Sequence, residues 1–343
     1  MRIAQLAAPW ISVPPTGYGG AEWVVQQLCD GLVARGHEVV LYASGDSQTD
    51  AELRALFPRQ LPELMGSSVH DGRHVSFAFA DIARERFDII HDHSGFLAVA
   101  FSRCLSAPMI HTIHCAFDQH SFPFYKQFRE AASYVAISNY QRAMAPAGMN
   151  WAGVVYNAIP AASWPFVTEK DDYLLAFGRV CEAKGFHLAI EAARRSNQRL
   201  VMAGVVQEPY REYFETRVAP YVDGEQITYE AEIDEARKRE LFSHARAFLF
   251  PITWPEPFGL VMIEALACGT PVVALRNGSV PEVIDHGRTG FICDDLDGFV
   301  AALADVRHID PQACRDAVES RFSVERMVDD YEAAYRAVAH SHD

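Results

Sequence analysis

Lysine is scarce in this sequence: Lys126, Lys170, Lys184 and Lys238 stand against 26 arginines. Basic residues together number 30 against 45 acidic ones, a formal charge of −15. A chain so short of positive charge lacks the basic face on which general nucleic-acid binding rests, so no nucleic-acid partner is expected. A long apolar run is also missing. The longest uncharged stretch, 143–168, carries three prolines, two asparagines and two glycines, which a helix crossing lipid would not tolerate. The seven cysteines include no C-x-x-C pair and are odd in number, which fits buried thiols in a reducing compartment better than disulfides or a zinc site. Met1-Arg2-Ile3-Ala4 leads straight into a strand-like stretch with none of the three regions of a signal peptide, so a cytoplasmic location is expected.

What is present is a globular composition, 50% hydrophobic and 22% charged, over 343 residues, enough for two domains. Short β-branched runs alternate with helical stretches, the signature of parallel α/β layers. In the first half the runs fall at 3–8, 37–43, 87–91, 109–114, 134–138 and 154–159. In the second they fall at 173–177, 200–203, 227–229, 247–250, 271–274 and 290–293. The expected architecture is two doubly wound Rossmann-like domains, 1–160 and 169–322, joined by a linker at 161–168. A closing helix over 323–343 is expected to pack back on the first domain. Sheets of this kind bind ligands beyond the carboxyl ends of their strands, so an interdomain cleft is expected.

Three motifs carry chemistry. The loop Pro14 to Gly20 separates the first strand from its helix, and Gly19 and Gly20 would let backbone N–H groups approach an anion. The dinucleotide fingerprint is not completed, because Glu22 stands where its third glycine would be, and the second strand ends without an acid. A nicotinamide dehydrogenase is therefore disfavoured. Arg179 and Lys184 follow the first strand of the second half, where two cations can neutralise a diphosphate. The third motif is PITWPEPFGLVMIEA, from Pro251 to Ala265. Its glutamates, Glu256 and Glu264, stand eight apart, and Pro257 and Gly259 open the helix that carries the second. Glu264 lies in an otherwise apolar stretch, where a carboxylate is expected to accept hydrogen bonds from hydroxyls such as those of a ribose.

His91-Asp92-His93 and His111-Thr112-Ile113-His114 have the composition of metal ligands and both follow strands. Histidines alternating on extended backbone are weakly specific, however, and a structural role is the commoner outcome.

With Asn277-Gly278-Ser279 and Thr289-Gly290-Phe291, these motifs resemble those of the retaining glycosyltransferases of family 4, of GT-B fold, over essentially the whole chain. The resemblance implies a nucleotide-diphosphate sugar donor, with Arg179 and Lys184 on the pyrophosphate, Glu264 on the ribose and Glu256 on the transferred sugar. It sets the backbone of Phe258, Gly259, Leu260 and Val261, beside Pro257, against sugar and phosphate, with Gly19 and Gly20 approaching from the other domain. It selects His114 to lie beside the donor sugar. His91, His93, Ser138 and Asn157 are expected to support the acceptor side. The sequence departs from the family at Tyr229-Glu230-Ala231, where many relatives have glycine, and at Pro251-Ile252, where Pro-Ser is usual.

The expectation is thus a metal-independent retaining hexosyltransferase without a cofactor, its donor UDP- rather than GDP-linked. Its acceptor is expected to be a soluble small molecule or saccharide. Residues 1–165 carry a formal balance of −3 and 166–343 one of −12, and neither offers the basic cluster that anionic membranes attract. The alternatives are a non-catalytic nucleotide-sugar-binding regulator or partner subunit and, less well supported, a sugar-nucleotide epimerase.

Overall fold

A computed structural model describes residues 1–17 and 19–340. Two compact units result: residues 1–158 together with the helix Val324–His340, and residues 159–323.

The first unit is built on β1 (Arg2–Leu6), β2 (Glu38–Tyr42), β3 (Glu52–Arg54), β4 (Ile89–Asp92), β5 (Met109–Ile113), β6 (Ser133–Ala136) and β7 (Trp151–Val154). They form one parallel sheet in the order 3-2-1-4-5-6-7. The second unit has β8 (Leu174–Phe177), β9 (Leu200–Ala203), β10 (Ile227–Glu230), β11 (Ala247–Phe250), β12 (Val272–Leu275) and β13 (Gly290–Cys293). These are also all parallel, in the order 10-9-8-11-12-13. Central strands such as Ala247–Phe250 are buried throughout, because helices cover both faces of a parallel sheet and the strand must be apolar on both sides. In each sheet the order reverses once, between β1 and β4 and between β8 and β11. The loops that leave the carboxyl ends at such a reversal diverge and open a ligand crevice.

Two strands differ from the periodicity reading. The run Val154–Ile159 pairs earlier, as Trp151–Val154, because the Trp151 ring packs edge-on against Tyr134 and beneath Arg142, drawing that register onto β6. Glu52–Arg54 was not expected as a strand at all. This short polar edge strand is fixed instead by Arg54 bridging to Asp81 and Glu85.

The stretch 161–168, expected as a linker, lies within the second unit. Trp164 is buried there, between Lys238, Arg239 and the Phe242 ring. The last helix, Val324–His340, lies against the helix Gly20–Ala34, close enough that a Cβ on Gly31 would come 2.6 Å from a Val328 methyl. Residues 341–343, included in the closing-helix expectation, lie outside the described residues.

Candidate active site

In the second unit the site grows from the loops that follow β8 and β11. Gly185 sits at φ 72°, and a Cβ there would come 2.0 Å from the carbonyl oxygen of Pro251. Only glycine lets these two loops press together, and the Thr253 amide donates to Ala183 O across them. A third loop, after β12, closes on the second. The Ser279 amide donates to Glu256 O at 3.0 Å, and Ser279 Oγ donates to Phe258 O at 2.7 Å. Gly278 approaches so closely that a Cβ would come 2.2 Å from that Glu256 oxygen.

This scaffold brings Lys184 and Glu256 together. Lys184 Nζ donates to Glu256 Oε2 at 2.5 Å, and Trp254 Nε1 donates to the same oxygen at 2.9 Å. The lysine lies between the rings of Phe250 and Trp254. Both donors use Oε2, and among the described residues none donates to Oε1. Gly259, at φ 79°, starts the helix Leu260–Ala267, whose first amides have no carbonyl a turn behind them to bond.

Glu264 is buried on that helix and meets a residue the sequence reading did not select. Lys238 Nζ donates to Glu264 Oε1 at 2.8 Å, and its ammonium faces the rings of Trp164 and Phe177. Burial disfavours the Lys238 charge, but Glu264 and Glu235 overcome it and raise the pKa above the ordinary lysine value. Glu264 Oε2 is buried with no partner, an arrangement that costs free energy unless a hydroxyl donates to it. Arg179 likewise has a buried Nε without a partner and lies over the Tyr210 ring.

The alternation of side chains across a strand divides the histidine motifs of the first unit. Gln5 pairs with His91, and His91 with Ile110, so Gln5, His91, His93, Thr112 and His114 share one face. Asp92 and His111 are on the other, where His111 Nδ1 lies 2.6 Å from Asp92 Oδ2. Among the described residues, no group of three or more His, Cys, Asp or Glu is arranged to hold a metal ion. Burial pushes the His114 pKa down to about 4, and it holds His91 and His93 well below the ordinary value, helped by the neighbouring histidines. Gln141 fixes the backbone on both sides of His114 by donating to Ile113 O and Cys115 O, each at 2.8 Å.

Ser138 is used as the N-cap of the helix Asn139–Ala143, accepting from the Gln141 amide. Asn157 Oδ1 is buried without a partner. In the glycine loop Tyr18 lies outside the described residues. The Glu22 carboxyl folds back over Gly19, where a Cβ would come within 2.8 Å of it, and burial raises its pKa. Lys238, Trp254 and Gln141 are thus the additions to the sequence reading. Trp254 stood inside a motif already singled out, whereas the other two gave no local signal.

Known glycosyltransferase families match the chain along most of its length. The family model for Glycosyltransferase Family 4 matches residues 18–162, and that for Glycosyl transferases group 1 matches residues 163–319. A glycogen synthase of Mycobacterium tuberculosis is 26% identical, the match covering 97% of this chain and 91% of the relative. Among solved structures, AviGT4, a glycosyltransferase involved in avilamycin A biosynthesis, is 26% identical with a TM-score of 0.75, covering 99% of this chain and 98% of the other. A sucrose-phosphate synthase of Thermosynechococcus elongatus is 21% identical with a TM-score of 0.79, covering 99% of each chain. Two parallel doubly wound sheets, the paired glutamates and these matches along the chain lead to one assignment: the protein belongs to the family 4 glycosyltransferases and has their GT-B fold.

Proposed function

We propose that the protein is a retaining, metal-independent hexosyltransferase that uses a nucleotide-diphosphate sugar, UDP-linked rather than GDP-linked. The observation that carries this reading is the pair of embedded carboxylates, each held through one oxygen by a lysine and each offering the other oxygen to hydroxyls. Glu264 would take the ribose and Glu256 the sugar. Departure of a nucleoside diphosphate puts negative charge on the leaving phosphate, and fixed cations aimed there lower the barrier without reorganising. Arg179 and Lys184 supply that charge, so no metal ion is required. In the retaining step the anomeric carbon–phosphate oxygen bond breaks as the acceptor oxygen bonds to the same face. The acceptor proton passes to the departing phosphate. His114, neutral near pH 7, lies beside the donor sugar as a hydrogen-bonding group and not as a charge.

Release of UDP from UDP-hexose without acceptor tests the reading. Steady hydrolysis supports an enzyme, whereas stoichiometric binding without turnover would mark a non-catalytic nucleotide-sugar binder. The acceptor is proposed to be soluble, a small molecule or a saccharide. A lipid-linked acceptor is the second reading, because Met65, Val69, Phe96, Phe101 and Phe122 expose apolar surface on the first unit. No helix among the described residues is long and apolar enough to cross a membrane. Salt-sensitive co-sedimentation with anionic liposomes, or activity restricted to lipid-linked acceptors, would favour that second reading.

A further inference from the structure

The shared face of β1, β4 and β5 carries an unbroken hydrogen-bond chain from His114 to the C-terminal helix. His114 Nε2 lies 2.9 Å from His93 Nδ1, and His93 Nε2 lies 3.0 Å from Gln5 Oε1. Gln5 Nε2 donates to the Tyr335 hydroxyl at 3.0 Å, and that hydroxyl lies 2.7 Å from His91 Nδ1. His91 Nε2 lies 2.8 Å from Thr112 Oγ1, which lies 3.0 Å from the Tyr331 hydroxyl. Gln5, His91, Thr112, Tyr331 and Tyr335 are fully buried or nearly so, whereas His93 and His114 are only partly buried.

The Gln5 amide gives this chain a direction. Its carbonyl oxygen can only accept, so His93 Nε2 carries a proton. A neutral imidazole has one N–H, so His93 Nδ1 is bare and accepts from an Nε2–H of His114. On the other side the Gln5 amide donates to Tyr335, whose proton turns to the bare Nδ1 of His91. His91 Nε2–H then donates to Thr112, and Thr112 donates to Tyr331. The Gln5 amide fixes the links to His93 and His114, whereas the Tyr335, Thr112 and Tyr331 hydroxyls can each donate or accept, and the head-to-tail pattern is the one that uses every proton. Such aligned chains polarise one another, so the pattern is cooperative.

We propose that this chain holds His114 as its Nε2–H tautomer, so that it meets the ligand with a bare Nδ1 that accepts a hydrogen bond from a sugar hydroxyl. Gln5, Tyr335 and His91 are then positioning residues that act through His93. This rests on the reading of His114 as a donor-side group, but the tautomer itself is a property of the resting protein. The device suits a transferase whose ligand is rich in hydroxyl donors, because an imidazole free to exchange tautomers would present a donor for part of the time.

Imidazole ¹⁵N spectroscopy of the unliganded full chain reads the tautomers directly. The expected result is Nε2–H with bare Nδ1 at His91, His93 and His114. In Tyr335→Phe, which removes one hydroxyl and keeps the ring, His93 and His114 should show mixed tautomers. The kcat/KM for donor hydrolysis should fall by about tenfold, the worth of one hydrogen bond. Gln5→Leu should do the same from the other side of the break. A purely structural role would lower the melting temperature of both variants and leave the tautomers unchanged, which overturns the proposal, as does Nδ1–H at any of the three histidines in the wild type. If the tautomers are as stated but His114→Ala keeps the wild-type kcat/KM, the donor-side reading of His114 fails and the chain stands.

Discussion

Lys238 Nζ and Glu264 Oε1 form a 2.8 Å ion pair on the second unit, and it leaves the other oxygen of the same carboxylate buried and open. The ammonium fixes one oxygen and so aims the other, and the two residues divide one task between them. Glu264→Gln should weaken UDP binding by roughly 1.5–3 kcal/mol, the scale of hydrogen bonds to a charged group. Lys238→Met leaves a carboxylate buried alone and should cost roughly 3 kcal/mol of stability. Calorimetric titration and urea unfolding read the two effects separately. Unchanged affinity in Glu264→Gln, together with a much lower melting temperature, would make the residue structural.

Lys184→Ala should lower kcat by about 10²–10³, as for a lost donor at a developing anion. The variant also strips Glu256 Oε2 of its ammonium, leaving the Trp254 indole as its donor. Turnover at saturating donor is the measurement. Wild-type kcat there would remove Lys184 from the reaction.

Because protein cations are assigned the work of a metal ion, excess EDTA should leave activity nearly unchanged. Complete loss on chelation, restored by Mg²⁺ or Mn²⁺, would contradict the assignment.

Stability should decline on the acid side. His91, His93 and His114 have folded pKa values below 6.5, mainly through burial, and His114 lies at about 4. Between those values the unfolded chain binds more protons, so the stability these groups contribute is present above pH 6.5 and lost as pH falls through that window. At pH 5 His114 alone accounts for a loss on the order of 2 kcal/mol. Asp71 works in the opposite sense: burial, with the nearby Asp92, pushes it up to about 6, so its protonation favours the folded state as pH falls. Glu22, also raised by burial, works in the same sense as Asp71, and the three histidines outweigh the two carboxyls. Urea midpoints at pH 7.5 and pH 5 check the sign, and equal midpoints would contradict it.

Much of this was legible in the sequence, and the exceptions share a cause. Glu264 stood out because a carboxylate in an apolar helical stretch violates local patterning. Lys238 did not, since it sits in the charged run Glu235-Ala236-Arg237-Lys238-Arg239-Glu240, which reads as a solvated helix face. Scarcity was the better clue. Three of the four lysines are committed inside the second unit: Lys184 and Lys238 on the glutamates, and Lys170 on the Ser243 and Cys268 carbonyls and the Thr270 hydroxyl. Helical spacing, four residues apart, sets Tyr331 and Tyr335 on one face of the last helix. It could not reveal that the Tyr335 hydroxyl meets Gln5, 330 residues away, because period reports which way a side chain faces and not what waits there.

The return of the last helix to the first unit sets an order on synthesis. A ribosome delivers residues 159–323 in full before Tyr331 and Tyr335 emerge. Until then the nascent chain holds Gln5, His91 and Thr112 in a half-built interior that lacks the Tyr331 and Tyr335 hydroxyls. The part translated first is therefore the part completed last, and a nascent chain stalled before residue 324 should carry a protease-resistant second unit beside a protease-sensitive first one.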